Sequence, residues 1–120
     1  MAKVLIVDDS PTETHKLTSM LEKHGHSVSC AGNGEEGVEK ARRELPDIVL
    51  MDVVMPGLNG FQATRQLSRN QETASIPVII VTTKDQETDR VWGMRQGAKQ
   101  YLTKPVNEAE LIKAITQLCG

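Results

Sequence analysis

Five short apolar runs alternate along the chain with stretches in which apolar residues recur every three or four positions. The runs are Lys3–Val7, Ser27–Ala31, Asp47–Met51, Val78–Val81 and Gln100–Thr103. They are rich in β-branched residues and mostly bounded by Gly, Pro, Asp or Asn, which marks them as strands. The first, third and fourth are nearly continuous in hydrophobicity, as expected for a parallel sheet covered on both faces. The intervening stretches carry helix start signals. Ser10-Pro11-Thr12-Glu13 offers a Ser N-cap, a Pro where no amide donor is needed and a Glu spaced for a capping box. Asn33-Gly34-Glu35-Glu36 and Asn107-Glu108-Ala109-Glu110 repeat the cap-then-Glu spacing. The first helix places Leu17, Met20 and Leu21 on one face and stops at Gly25. The third follows Gly60, with Phe61, Thr64 and Leu67 along one side. The fourth spans Asp85–Gln96 with Val91 and Met94 as core positions. The last runs through Leu118 and buries Leu111, Ile112, Ile115 and Leu118. The pattern is a strand–helix unit repeated five times, with no linker or low-complexity segment. Right-handed crossovers make this a single doubly wound α/β domain over residues 1–120. The periodicity alone leaves the strand order open.

Composition narrows the classes. A chain of 120 residues fits one domain that buries roughly two thirds of its unfolded surface, without disulfide or metal staples. The net charge of −2 gives no basic field to attract nucleic acid or an anionic membrane. No apolar run reaches bilayer length, and Val4-Leu5-Ile6-Val7 is too short for a signal-peptide core. Cys30 and Cys119 stand far apart in no CxxC arrangement and are expected as reduced thiols in a cytoplasmic protein. His15, His24 and His26 share no metal-like spacing with the acids. Gly32-Asn33-Gly34 lacks the GxxxxGK continuation of a phosphate loop.

The chemistry gathers at the carboxyl ends of the strands, where open parallel sheets bind ligands. Asp8 and Asp9 follow the first strand, and Asp52 follows the third. Thr82 and Thr83 end the fourth, and Lys104-Pro105 follows the fifth. Each has an ordinary alternative: helix-start acids, a loop acid, a strand terminus, a surface lysine. Their joint placement on one rim is what points to a site. Carboxylates held this close repel, and a hard divalent cation such as Mg²⁺ relieves the conflict. An Asp with a free oxygen beside such a cation and a Lys is a nucleophile suited to phosphorus.

Val7-Asp8-Asp9-Ser10, Met51-Asp52-Val53-Val54-Met55-Pro56-Gly57, Ile80-Val81-Thr82-Thr83 and Tyr101-Leu102-Thr103-Lys104-Pro105 resemble a response-regulator receiver domain of the CheY type. The likeness covers essentially the whole chain. It implies a flavodoxin-like strand order 2-1-3-4-5 with the site between the first and third strands. It implies Asp52 as acceptor of a phosphoryl group from a kinase phosphohistidine. Asp9 and Asp52 would ligate Mg²⁺ directly with the backbone carbonyl of Val54, and Asp8 through water. Lys104 would contact the phosphoryl group, its bond to Pro105 resembling the family's cis peptide. Thr82 would move to bond a phosphoryl oxygen and Tyr101 would swing inward behind it, altering the surface of the fourth helix, fifth strand and fifth helix. Trp92 lies in that helix and is a candidate partner contact, though a lone Trp is more often core filler.

Gly57–Arg65 and Thr82–Asp89, followed by Val91-Trp92, are further similar to PilH-type regulators of chemotaxis-like systems that control type IV pili and twitching motility. That likeness implies a monomeric, cytoplasmic regulator without an output domain, phosphorylated by a CheA-like histidine kinase. Its output would pass to a protein of the motility machinery, with no nucleic acid or membrane insertion, or the domain would drain a shared kinase as a phosphate sink. Val54 is a variable position in the family, and a Val cannot orient an attacking water, so slow phosphoryl loss is expected. Two rival classes fit less well. An aspartyl-phosphate phosphohydrolase would carry a second Asp where Val54 stands. A flavodoxin-like FMN carrier would need a Ser/Thr-rich phosphate nest and more than 2% aromatic residues.

Overall fold

The interior strands form where apolar, largely β-branched side chains run without interruption and can be covered on both faces. In the computed structural model, which describes residues 1–119, these are β1 (Lys3–Val7), β3 (Ile48–Met51) and β4 (Val78–Thr82), with β2 (Ser27–Ala31) and β5 (Gln100–Thr103) at the edges. Five helices connect and follow them: α1 (Pro11–Lys23), α2 (Gly34–Glu44), α3 (Gly60–Arg69), α4 (Glu87–Arg95) and α5 (Glu108–Cys119). The sheet is parallel throughout, in the order β2-β1-β3-β4-β5. This is the doubly wound α/β architecture expected above. Because β1 lies beside β3, Val7 pairs with Met51, and the residues that follow each strand emerge next to one another.

Alternation along the strands sends neighbouring residues to opposite faces. Val4 and Ile6 of β1 join Ile48, Leu50, Ile79 and Val81 beneath Leu17 and Leu21 of α1 and Leu111 and Ile115 of α5. Leu5 and Val7 join Val49, Met51 and Val78 on the other face, against Ala41 of α2 and Ala63 and Leu67 of α3. Each such aliphatic side chain, fully buried, stabilises by about 1.5–3 kcal/mol. Helix starts are fixed as the polar residues suggest. Ser10 Oγ, Asn33 Oδ1 and Asn107 Oδ1 accept from the N–H groups of Glu13, Glu36 and Glu110 at 3.3, 2.8 and 2.9 Å. A reciprocal capping box stands at α3, where Asn59 and Gln62 bond each other's backbone N–H groups at 2.9 and 3.0 Å. α1 stops ahead of Gly25, whose φ of +86° suits a residue without a side chain.

Three expectations need correction. β3 begins at Ile48: Asp47 still donates its backbone N–H to Lys3 O at 2.8 Å, but its side-chain carboxylate, and not a backbone carbonyl, takes the Lys3 N–H at 2.7 Å. β4 continues to Thr82. The fourth helix is shorter than expected, and Val91 and Met94 are exposed rather than core. The buried residue of α4 is Gly93, where an added Cβ would stand 2.8 Å from Ile80 Cδ1 and 3.1 Å from the Tyr101 ring. The helix therefore rests its backbone on β4 and β5, and the side chains flanking Gly93 turn away from the sheet. At the start of α3, a Cβ on Gly60 would overlap the Asp52 carbonyl oxygen, a backbone atom that has no slack. Gly60→Ala is expected to destabilise the protein by about 2–3 kcal/mol, read as a lowered midpoint in urea unfolding.

Candidate functional site

The sheet ladder sets each polar residue of the rim. Asp8 N–H donates to Ala31 O at 3.0 Å and Asp52 N–H donates to Val7 O at 2.9 Å, prolonging the pairing one residue past β1 and β3. Lys104 N–H donates to Thr82 O at 2.8 Å, which ties the lysine to the end of β4. The Lys104–Pro105 peptide is cis.

The side chains then meet. Lys104 Nζ donates to Asp8 Oδ2 at 2.8 Å and stands 3.7 Å from Asp52 Oδ2 and 3.8 Å from Glu13 Oε1. Asp8 Oδ1 accepts from Ser10 N–H at 2.9 Å, and Asp52 Oδ1 accepts from Val53 N–H at 2.8 Å. The side chains of Lys104, Asp8 and Asp52 are 9%, 2% and 10% exposed, so water screens them poorly. At an effective dielectric near 20, charges this close interact by about 4 kcal/mol, against a comparable cost of desolvation. Burial pushes the Asp52 carboxyl above its ordinary value; Lys104 pulls it down, and Asp8 adds to the rise. Burial alone would lower Lys104, but its hydrogen bond to Asp8 and the fields of Asp52, Asp8 and Glu13 outweigh that and raise it. The ammonium is firmly charged.

Carboxylate oxygens of Asp8, Asp9 and Asp52 all lie within 4.8 Å of one another, with Asp9 exposed and the other two buried. One ammonium does not balance three carboxylates. A set of hard oxygen donors carrying excess negative charge fits Mg²⁺ and not a soft metal.

Thr82 is fully buried at the end of β4, and its Oγ1 accepts from Lys84 N–H at 3.3 Å. Tyr101 is buried in this structure, and its hydroxyl donates to Lys84 O at 2.7 Å. Residue Lys84 thus touches both. Val54 is 56% exposed on the loop after Asp52, and Trp92 is 48% exposed on α4, outside the acidic rim. Sequence reasoning missed Glu13 as a neighbour of Lys104. Its position in the first turn of α1, directly after Asp8-Asp9-Ser10, was the available signal.

Residues 4–116 match the response regulator receiver domain family. The chain belongs to that family. As a receiver domain it is 72% identical over 115 residues to Protein PilH of Pseudomonas aeruginosa, covering 96% of this chain and 95% of that one. It is 38% identical to the Response regulator PleD of Caulobacter vibrioides, of which it spans 26%. Chemotaxis protein CheY4 of Vibrio cholerae superposes with a TM-score of 0.90 at 30% identity, over 98% of each chain. The receiver domain of the Pseudomonas aeruginosa sensor histidine kinase PA1611 superposes with a TM-score of 0.92 at 30% identity, over 99% of this chain and 98% of that one. That structure has a magnesium ion coordinated in its active site cleft. The receiver structures share the fold described above. The family is one of response regulators, whose phosphodonors are histidine kinases, and not a family of turnover enzymes.

Tyr101 offers a check on the packing around Lys84. Burial first, then the fields of Asp89, Asp85 and Asp52, pushes its phenol up to about 12. The folded value exceeds the unfolded one, so the stability it contributes is complete below about pH 10 and is lost as pH rises through about 12. Since the chain has a single tyrosine, ultraviolet phenolate absorbance reports it alone. The native midpoint should lie well above the midpoint in denaturant.

Proposed function

We propose that Asp52 is the phosphoryl acceptor of a receiver switch. What carries this is the Lys104 ammonium, 3.7 Å from Asp52 Oδ2 and hydrogen-bonded to Asp8, at a rim whose carboxylate oxygens gather within 4.8 Å. The Asp52 oxygen forms the new O–P bond while the P–N bond of the kinase phosphohistidine breaks. The bonding pair returns to the imidazole ring, and no oxidant or reductant is required. Phosphoryl transfer asks a protein mainly for position and for charge opposite the equatorial oxygens. Lys104 supplies one such charge and the Thr82 hydroxyl a hydrogen-bond donor. Asp9 and Asp52 would hold Mg²⁺ directly with the Val54 carbonyl, and Asp8 through water. When bound, the ion neutralises the excess carboxylate charge and that of the phosphoryl group.

In the switch step, the Thr82 hydroxyl turns towards a phosphoryl oxygen and gives up its bond from Lys84 N–H. The Lys84 carbonyl also holds Tyr101, so a shift of this residue reaches β5 and the exposed side of α4. The domain thereby acts on partners and catalyses only its own phosphorylation and dephosphorylation. The 72% identity to PilH supports a place in a chemotaxis-like phosphorelay that controls type IV pilus twitching motility. The donor would be a CheA-like histidine kinase and the target a protein of the motility machinery, with Trp92 on the contact surface. A cytoplasmic site of action accords with this, and among the described residues no helix is long and apolar enough to cross a membrane.

Incubation with acetyl phosphate and Mg²⁺, followed by intact-mass measurement, tests the acceptor. Wild type should gain one labile phosphoryl group, and Asp52→Asn or removal of Mg²⁺ by chelation should abolish the gain; equal labelling of Asp52→Asn would end the proposal. Val54 is exposed beside the acceptor and offers no hydrogen bond to water. Val54→Asn should speed phosphoryl loss by about tenfold, the factor that one hydrogen bond of about 1.4 kcal/mol contributes, as followed by decay of the phosphorylated mass. An unchanged decay rate would show that Val54 does not set the lifetime.

A further inference from the structure

Away from the acidic rim, α2 and α3 enclose an open groove of about 690 Å³ that neither the acceptor chemistry nor the Thr82–Tyr101 pathway uses. Its floor is apolar: Val38 and Leu58 are half-buried and pack against the core beneath. Its walls are basic. Arg42 rises from α2, one helical turn beyond Val38, and Arg65 and Arg69 rise from α3, one turn apart. Like charges at that spacing disfavour a helix on their own, and α3 contains no acidic residue to offset them. Arg65 and Arg69 have no ion-pair partner among the described residues. Arg42 has only long, solvent-exposed contacts to Glu39 at 3.6 Å and Glu72 at 3.8 Å, of a kind that exchanges readily. A concentrated positive face with an apolar floor stands out on a chain of net charge −2.

The geometry distinguishes the kind of anion that fits. A single phosphate would need converging donors, yet the first-turn N–H of Gln62 at the head of α3 is already bonded by Asn59. The three guanidinium groups are instead spread along two helices. That spacing matches several carboxylates along a chain, and the Val38–Leu58 floor accepts an apolar side chain between them. We infer that the α2–α3 groove docks an acidic amphipathic segment of a partner protein, its carboxylates on Arg42, Arg65 and Arg69 and an apolar residue on Val38 and Leu58. Helix-in-groove recognition uses this division of labour, with apolar anchors for affinity and charge for orientation and selectivity. Leu58 belongs to the loop that leaves Asp52, so an occupant would touch the segment next to the acceptor while the rim carboxylates stay free.

The test uses a short amphipathic peptide of Glu and Leu at helical spacing, titrated into the full-length isotope-labelled protein and followed by amide NMR shifts. Shifts should concentrate on α2, α3 and Leu58. Arg65→Glu with Arg69→Glu should weaken binding by at least about tenfold, and the milder Arg65→Gln with Arg69→Gln should fall between. Both variants should keep the wild-type unfolding midpoint and acetyl phosphate labelling, which separates this surface from the acceptor site. The inference is overturned if the shifts map elsewhere or the charge-reversed protein binds as tightly as wild type. It is equally overturned if a Gln-for-Glu peptide binds as well, or if inorganic pyrophosphate displaces the peptide at equal concentration, which would mark an unspecific anion patch.

Discussion

Lys104 holds together a group of charges that would otherwise force the rim apart. Asp8 and Asp52 are carried out of water by a sheet that leaves them no room to separate, because β1 and β3 are neighbours and each acid is bonded through its backbone to the ladder. The ammonium bonds one carboxylate and faces the other, and its charge offsets their mutual repulsion. Such a cluster is poor at stabilising a fold, since desolvation cancels most of the attraction. Its value is chemical. In the reaction we propose, a nucleophilic oxygen, a cation and a hard-donor site are built before any phosphoryl donor arrives, which is what transfer to phosphorus requires.

The surroundings keep this arrangement rigid on one side and adjustable on the other. Gly60 lets α3 begin against the Asp52 carbonyl, and the Asn59–Gln62 capping box fixes that start. On the opposite side Lys84 takes a hydroxyl from Tyr101 and gives an N–H to Thr82 through bonds that a small shift can exchange. α4, seated through Gly93, has few side chains locked into the core and presents Val91, Trp92 and Met94 to solvent. The charge change proposed at Asp52 would therefore meet stiff backbone towards α3 and a lightly anchored helix towards α4. Coupling through discrete, bistable contacts of this kind is how local chemistry reaches a distant surface.

Legibility in the sequence followed how local the cause was. All five strands could be read from apolar runs, β2 with its bounds unchanged, and the Ser10, Asn33 and Asn107 caps from residue types at fixed spacing, because those signals act within a few residues. The acids, Thr82 and Lys104 could be placed on one rim because strand ends in a parallel sheet share a side. α4 was misread for a physical reason: its amphipathic pattern suggested Val91 and Met94, but the sheet contact is made by a residue with no side chain. Glu13 was read as a capping residue, and only packing shows its carboxylate turned towards Lys104 at 3.8 Å.

The sequence by itself determined the alternation of elements, their caps and which residue types carry the chemistry, since each depends on near neighbours along the chain. It also carried the family resemblance. Strand order, the burial of Asp8 and Asp52 around one ammonium, the seat of α4 on Gly93 and the basic groove between α2 and α3 arise only when distant segments meet. Lys104 and Asp8 lie 96 residues apart, yet their side chains are 2.8 Å apart in the fold. No local pattern encodes that distance, because it is set by how the helices on both faces of the sheet pack and which strands they bring side by side.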